Sequence, residues 1–305
     1  MTRPNQPGKR LFQILLFTVT CPLFTLSSCS FEITASRYAL VYGAANYPGT
    51  ANDLAYPDND AQDMAAALSA AGWVIRETTQ PTVDKAVIQA DIAALVGVVD
   101  SDSSVLVYFS GHGDADVFGT YIIPTDENQI SASELLSWLD ALPCRNRILI
   151  LDTCYSGGFV TDTGTLDAAP QDFGIYDDGT DGSAVLAALS SYSDLLAAAF
   201  QSYDPRTPMT VTAAGSEELS YETSSYGHGV FTYFFLEAAS KGDLDGNGFV
   251  TLQEAYRYAR AGVERYWNDV YYSYYSIDPD TEKRISPNWD FLPRISGNAR
   301  DIVIF

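Results

Sequence analysis

The sequence predicts an α/β fold in which a mostly parallel central sheet is covered by helices on both faces. Two observations lead to it. SVLVYFS (104–110) and RILILD (147–152) are almost continuously apolar, as strands buried on both faces are. From Arg37 onward, strand-like and helix-like stretches also alternate, and that alternation is the signature of a parallel sheet.

Taken in order, RYALVYGA reads as the first strand. DNDAQDMAAALSAAG follows as a helix with Ala61, Met64, Ala65 and Leu68 on one face and Gly72 at its end. WVIRET is a short strand, VDKAVIQADIAALVGVV a helix, and SVLVYFS a buried strand. SASELLSWLDAL is a helix capped by Ser131 or Ser133, and RILILD is the next buried strand. The rhythm then breaks at an acidic, Gly-rich insertion over about 159–207, read as a long loop with one short helix around Ala184–Phe200. MTVTAAG resumes the sheet, VFTYFFLEAAS and LQEAYRYARAGVERYW are helices, and DIVIF reads as a closing strand.

The chain has 305 residues and is 47% hydrophobic, enough for one large domain or two small ones. Its formal charge is −22, from 39 acidic and 17 basic residues. Phosphate binding needs an excess of Lys and Arg, so nucleic acid and anionic membrane surfaces are disfavoured as partners. At the N-terminus, Lys9-Arg10 precede LFQILLFTVTCPLFTL and then Leu26-Ser27-Ser28-Cys29, which reads as a signal peptide ending in small residues. Those last four residues resemble the bacterial lipoprotein signature. The resemblance implies a signal over 1–29, acylation of Cys29, and an exported protein lipid-anchored to the cell envelope by its acyl chains; the alternatives are an uncleaved anchor or plain secretion.

Cys21 would leave with the signal, and the remaining domain, from about residue 37 to 305, keeps Cys144 and Cys154. The extended chain between them places them about 25 Å apart, too far for a disulfide. A free thiol at a strand end then asks for a chemical explanation. SVLVYFS ends at SGHG, with His112, and ILILD ends at TCYSGG, with Cys154. Parallel neighbouring strands present their carboxyl ends on one sheet edge, where ligands bind in open α/β sheets. There His112 could accept the thiol proton and later return it to a leaving amine. Gly111 and Gly113 allow close backbone approach, and the N–H groups of Gly113 and Cys154 are candidates for an oxyanion hole.

These residues resemble a family. SGHG after one aliphatic strand and D-x-C-x-S-G after another are similar to the motifs of caspase-type cysteine peptidases, above all bacterial caspase-like proteins and metacaspases. LAYPDNDA (54–61), TAAGSEELSYE and HGVFTYFFLEA extend the resemblance over Tyr38–Tyr258. Tyr56 stands where the family's L-x-G-x-x-N-D-A segment has glycine. The resemblance implies a caspase-like three-layer fold, Cys154 as nucleophile, His112 as general base, an acyl-enzyme intermediate, and Asp60, Ser110 and Asp152 as the walls of the pocket for the residue before the cut. Two carboxylates in a cleft favour Arg or Lys there. Caspases proper bind Asp through arginines, which these positions lack. His228, in SYGHGVFT, reads as a loop residue near the site.

Two further features stand apart. DLDGNGFVTLQE has EF-hand spacing: Asp243, Asp245, Asn247, Phe249, Thr251 and Glu254 occupy ligand positions, the Phe249 ligand being a backbone carbonyl, and Gly248 sits at the sharp turn. It is read as a possible Ca2+ site or as a structural turn at the start of a helix. Arg206, in YDPRTP, is the one Lys or Arg between Arg147 and Lys241 and a candidate self-cleavage site or a plain surface charge. The expected partners are peptides or proteins with basic residues before the cut. The alternatives are a non-catalytic calcium-binding lipoprotein and a legumain-like hydrolase cutting after Asn.

Overall fold

The computed structural model describes residues 36–78, 82–159, 208–216, 218–268, 276–277, 284–285, 291–296 and 302–305. The signal segment with Cys21 and Cys29, the insertion from residue 160 with its helix around Ala184–Phe200, and Arg206 lie outside the described residues.

The chain runs β1 (Arg37–Gly43), α1 (Pro57–Ala70), β2 (Val74–Thr78), α2 (Lys85–Leu95), β3 (Ser104–Ser110), β4 (His112–Asp116), β5 (Gly119–Ile123), β6 (Ile130–Ser131), α3 (Ala132–Asp140) and β7 (Asn146–Asp152). After the insertion come β8 (Met209–Thr212), β9 (Glu222–Thr223), β10 (His228–Gly229), α4 (Val230–Lys241), α5 (Leu252–Val263), β11 (Ser276–Ile277), β12 (Arg284–Ile285) and β13 (Arg294–Ser296). The main sheet has six strands in the order β13-β8-β7-β3-β1-β2. All its pairings are parallel except that of β13 with β8.

Alternate residues of the inner strands face opposite layers, as the strand period of two requires. Leu106, Tyr108, Ile148 and Ile150 pack with Met64, Leu68, Phe231 and Phe235 from α1 and α4. Val105, Val107, Leu149 and Leu151 pack with Ile88, Ile92, Leu135 and Leu139 from α2 and α3. Each such buried side chain contributes about 1.5–3 kcal/mol. Ser131 is the cap of α3, accepting from the Glu134 N–H while Glu134 accepts from the Ser131 N–H.

Three expectations need correction or extension. DIVIF does not close the sheet: Val303 makes one isolated bridge to Thr251, and β13 holds the edge. The partner stretch at Val250–Thr251 turns into α5 at once, leaving no extended chain to continue the pairing. The helix predicted over 252–267 is α-helical to Val263 and widens into a π-turn at Glu264–Asn268. The polar stretch after His112 forms a three-stranded antiparallel sheet, β4-β5-β6, which its mixed composition did not signal.

Candidate active site

Strand register builds the site. Gly43, Ser110 and Asp152 stand side by side as partners at the carboxyl ends of β1, β3 and β7. His112 and Cys154 each lie two positions beyond that row. Both therefore reach the same edge, and they line one cavity with Asp60, Ser110, Asp152 and Gly229. Cys144 and Cys154 are both free thiols, as expected from their separation.

His112 is held from three directions. Its Nε2 lies 2.7 Å from the Asn52 carbonyl oxygen, which only accepts, so neutral His112 carries its proton on Nε2 and its lone pair on Nδ1. Its ring packs against Tyr47, centroids 4.7 Å apart. Its backbone N–H donates to the Tyr47 hydroxyl at 3.0 Å, and that hydroxyl donates to the Ile123 carbonyl at 2.9 Å. His112 and Ile123 are β4–β5 partners, so the tyrosine bridges their rung. The loop carrying these supports is closed by Leu54 N–H to the Ala45 carbonyl and by Tyr47 N–H to Asp53 Oδ1.

Cys154 is partly buried, and its thiol donates toward the Ser220 carbonyl at 3.6 Å. Burial raises the thiol pKa, and the Asp152 charge adds to the rise. Tyr155, the next residue, sits at φ +56°, a conformation costly for a side chain with a Cβ, and its N–H donates to the Glu218 carbonyl at 2.8 Å. The chain thus leaves β7 abruptly just after the thiol. A Cβ on Gly113 would stand 2.3 Å from the Cys154 carbonyl oxygen, so only glycine lets the two backbones meet there.

The pocket acids come from two elements. Asp60 falls on the buried stripe of α1 with Ala61, Met64 and Leu68, so its carboxylate faces inward. Its Oδ2 accepts from the Ser110 hydroxyl at 2.7 Å; its Oδ1 accepts from the Gly229 N–H at 3.1 Å and faces His228 Nδ1 at 2.9 Å. Asp152 accepts from the Ser220 hydroxyl at 2.6 Å and from the Thr232 hydroxyl and N–H at 2.7 and 3.2 Å. Burial, then the nearby Asp60 charge, raises Asp152 to about 7. Gly229 separates the two carboxylates; a Cβ there would lie 2.3 Å from Asp152 Oδ2.

The structure brings His112, Cys154, Gly113, Asp60, Ser110 and Asp152 together. Sequence reasoning did not single out Tyr47 and Asn52, in the unremarked stretch AANYPGTAND, nor Ser220, Gly229 and Thr232, which lie in TAAGSEELSYE and HGVFTYFFLEA, read there only as parts of the resemblance. It also read His228 as a loop residue near the site. His228 does lie at the site, bonded to a pocket acid, but in the short strand β10, paired with Thr223.

At the loop 243–254, carboxylate oxygens of Asp243, Asp245 and Glu254 lie within 4.8 Å of one another. Asp243 accepts from the N–H groups of Gly246, Asn247 and Gly248, and Gly248 has φ +89°. Thr251 and Glu254 form the capping box of α5, and Glu254 also accepts from the Leu244 N–H. The helix-cap role and the carboxylate cluster therefore coexist. The Asn247 side-chain amide donates to Asp245, and its carbonyl oxygen accepts from the Phe249 N–H.

A parallel sheet with helices on both faces and a His and a Cys at its carboxyl edge defines a caspase-like hydrolase fold. A family model described as the caspase domain matches residues 36–283, and the chain belongs to that family of cysteine peptidases. Metacaspase-4 of Arabidopsis thaliana is 32% identical over 138 residues, 38% of this chain and 32% of that protein. The chain thus spans about a third of that relative's length. Among solved structures, caspase-1 from Spodoptera frugiperda superposes with a TM-score of 0.57 at 11% identity, over 88% of this chain and 90% of the other. A Geobacter sulfurreducens protein gives 0.51 at 17% identity, over 87% and 94%. Both show likeness of fold.

Proposed function

We propose that the protein is a cysteine endopeptidase that cuts after Arg or Lys. The observation that carries this reading is the in-register Ser110–Asp152 pair, with Asp60 bonded to Ser110, in the same cavity as His112 and Cys154. His112 Nδ1 takes the proton of the Cys154 thiol as sulfur attacks the scissile carbonyl carbon. The raised thiol pKa means that this transfer has to accompany attack. The N–H groups of Gly113 and Cys154 stabilise the tetrahedral oxyanion. Collapse breaks the C–N bond, the imidazolium protonates the leaving amine, and a thioester remains. Water, deprotonated by His112, then releases the acid and restores the thiol. Asp60 and Asp152 hold the basic side chain by charge-assisted hydrogen bonds.

A fluorogenic panel varying only the residue before the cut tests this. Arg and Lys should lead, with activity absent in Cys154→Ala; Asn leading would favour the legumain-like reading, and Asp leading would overturn the pocket assignment.

Three further parts of the reading have separate support. The EF-hand spacing and the converging carboxylates support Ca2+ at Asp243, Asp245, Asn247, the Phe249 carbonyl, Thr251 and Glu254, and titration calorimetry at millimolar calcium tests it. The Leu26–Cys29 sequence supports an exported, lipid-anchored protein, tested by palmitate labelling that Cys29→Ser abolishes. The isolated Arg206 supports self-cleavage, tested by whether Arg206→Ala still matures to two fragments.

A further inference from the structure

Asp60 is the only pocket acid with an ionisable base against it among the described residues. His228 Nδ1 lies 2.9 Å from Asp60 Oδ1, and its Nε2 lies 3.3 Å from Asp63 Oδ2. An ionised carboxylate accepts hydrogen bonds and donates none, so Asp60 holds the proton on Nδ1, and the Asp63 charge at ion-pair distance favours a second proton on Nε2. The imidazole thus sits between two acids of α1. Its side chain is 14% exposed, so its proton exchanges with solvent while its charge is felt in the pocket.

We propose that His228 is a specificity-determining residue of the pocket: shared by Asp60 and Asp63, its charge sets how much negative potential a substrate side chain meets. Protonated His228 cancels much of the Asp60 charge, and the pocket then attracts a basic side chain weakly. Loss of that proton uncovers Asp60 and strengthens the attraction. This deepens the Arg/Lys reading and rests on it.

The groups facing His228 are few. From α1 they are Asp60 and Asp63, with the Asn59 amide donating to the adjoining Gly227 carbonyl. β7 contributes Asp152, whose charge also reaches the ring. From α4 comes Tyr233, its ring centroid 6.5 Å away. From β9 comes Thr223, the strand partner of His228, while the neighbouring Glu222 carboxylate is taken up by the N–H groups of Ala55 and Tyr56. The hydrogen bond to Asp60, opposed in part by burial, raises the His228 pKa above its ordinary value. Preference for basic residues therefore rises as pH climbs through the range where His228 and Asp152 give up their protons.

The test compares peptidyl-arginine and peptidyl-citrulline coumarin substrates, identical otherwise, with the full-length protein between pH 5.5 and 8.5. Citrulline keeps the shape of arginine without its charge and serves as the internal reference. In the wild type the Arg-to-citrulline ratio of kcat/KM should rise with pH. His228→Gln, which carries no charge, should raise that ratio at pH 5.5 by about tenfold or more, since even a unit charge about 12 Å away in an effective dielectric near 20 amounts to a tenfold effect. His228→Lys, which keeps the charge, should hold the ratio about tenfold below wild type at pH 8.5. A merely structural histidine would make both variants move the same way, and that result, or ratios that track the wild type, would overturn this inference alone. A wild type with no preference for Arg over citrulline at any pH would overturn the Arg/Lys reading and this inference together.

Discussion

The protein gathers carboxylates in two places and treats them in opposite ways. Asp60 and Asp152 are buried against each other at the sheet edge, and Asp152 is raised to about 7 by burial and by its neighbour's charge. Asp243 and Glu254 converge at the start of α5, where backbone N–H groups donate to both, and their pKa values are lowered. Proximity of acids does not set their behaviour. For Asp152, burial and the Asp60 charge outweigh its hydrogen bonds; for Asp243 and Glu254, the hydrogen bonds outweigh burial. Asp152 thus keeps its proton to near neutral pH, where on the proposed reading a cationic substrate side chain would favour its release, whereas the loop acids stay charged well below it.

The sharpest way to break this contrast is at the chemistry beside the pocket pair. Cys154→Ala should lower kcat by about 10³-fold or more while leaving the thermal midpoint near that of the wild type, as thermal melts and active-site titration would show. Asp152→Asn should reduce kcat/KM for Arg substrates by about 10–100-fold, the scale of losing a hydrogen bond to a charged group, with a much smaller effect on citrulline substrates.

The same residue gives a pH signature. The folded pKa of Asp152 is raised, so between about pH 4 and 7 the folded state holds a proton that the unfolded chain has released, and stability falls as pH rises across that window. Melting curves should show Asp152→Asn gaining on the wild type from pH 5 to pH 8. For Asp243 and Glu254 the sign reverses. Their folded pKa values are depressed, so their contribution is present above the carboxylate range and lost as pH falls through it.

A smaller effect is expected at Tyr47→Phe, which keeps the ring against His112 but strands the His112 N–H and the Ile123 carbonyl. A kcat about tenfold lower at nearly constant KM is the expected split. A rise in KM alone would instead place Tyr47 in substrate binding. Smallest should be the loop: millimolar calcium should raise the thermal midpoint of the wild type and not of Asp243→Asn, and no calcium effect on the wild type would leave the loop a helix cap only.

Much of the site could be read from single residues. His112 and Cys154 were legible because each follows a continuously apolar strand by the same offset. Asp60 was legible from its motif alone, and its place on the buried stripe of α1 came from the structure. The β4–β5–β6 sheet was not, because HGDADVFGTYII alternates too irregularly to mark a strand and is held by partners outside it, Tyr47 among them. The role of DIVIF was misread for a related reason: an apolar terminal run signals burial, which Ile304 has, and not the pairing that delivers it.

The sequence by itself determined the parallel layers, the strand ends that carry the thiol and the imidazole, and the Asp152 and Ser110 that precede them. These follow from short-range periodicity and from the chemistry of each side chain. Tertiary structure alone decided that His228 charges Asp60, 168 positions away, that the Tyr47 hydroxyl holds His112, and that Gly229 is the gap in which two carboxylates meet. Such contacts depend on how helices and strand ends pack across the sheet edge, and no local pattern in the chain encodes that packing.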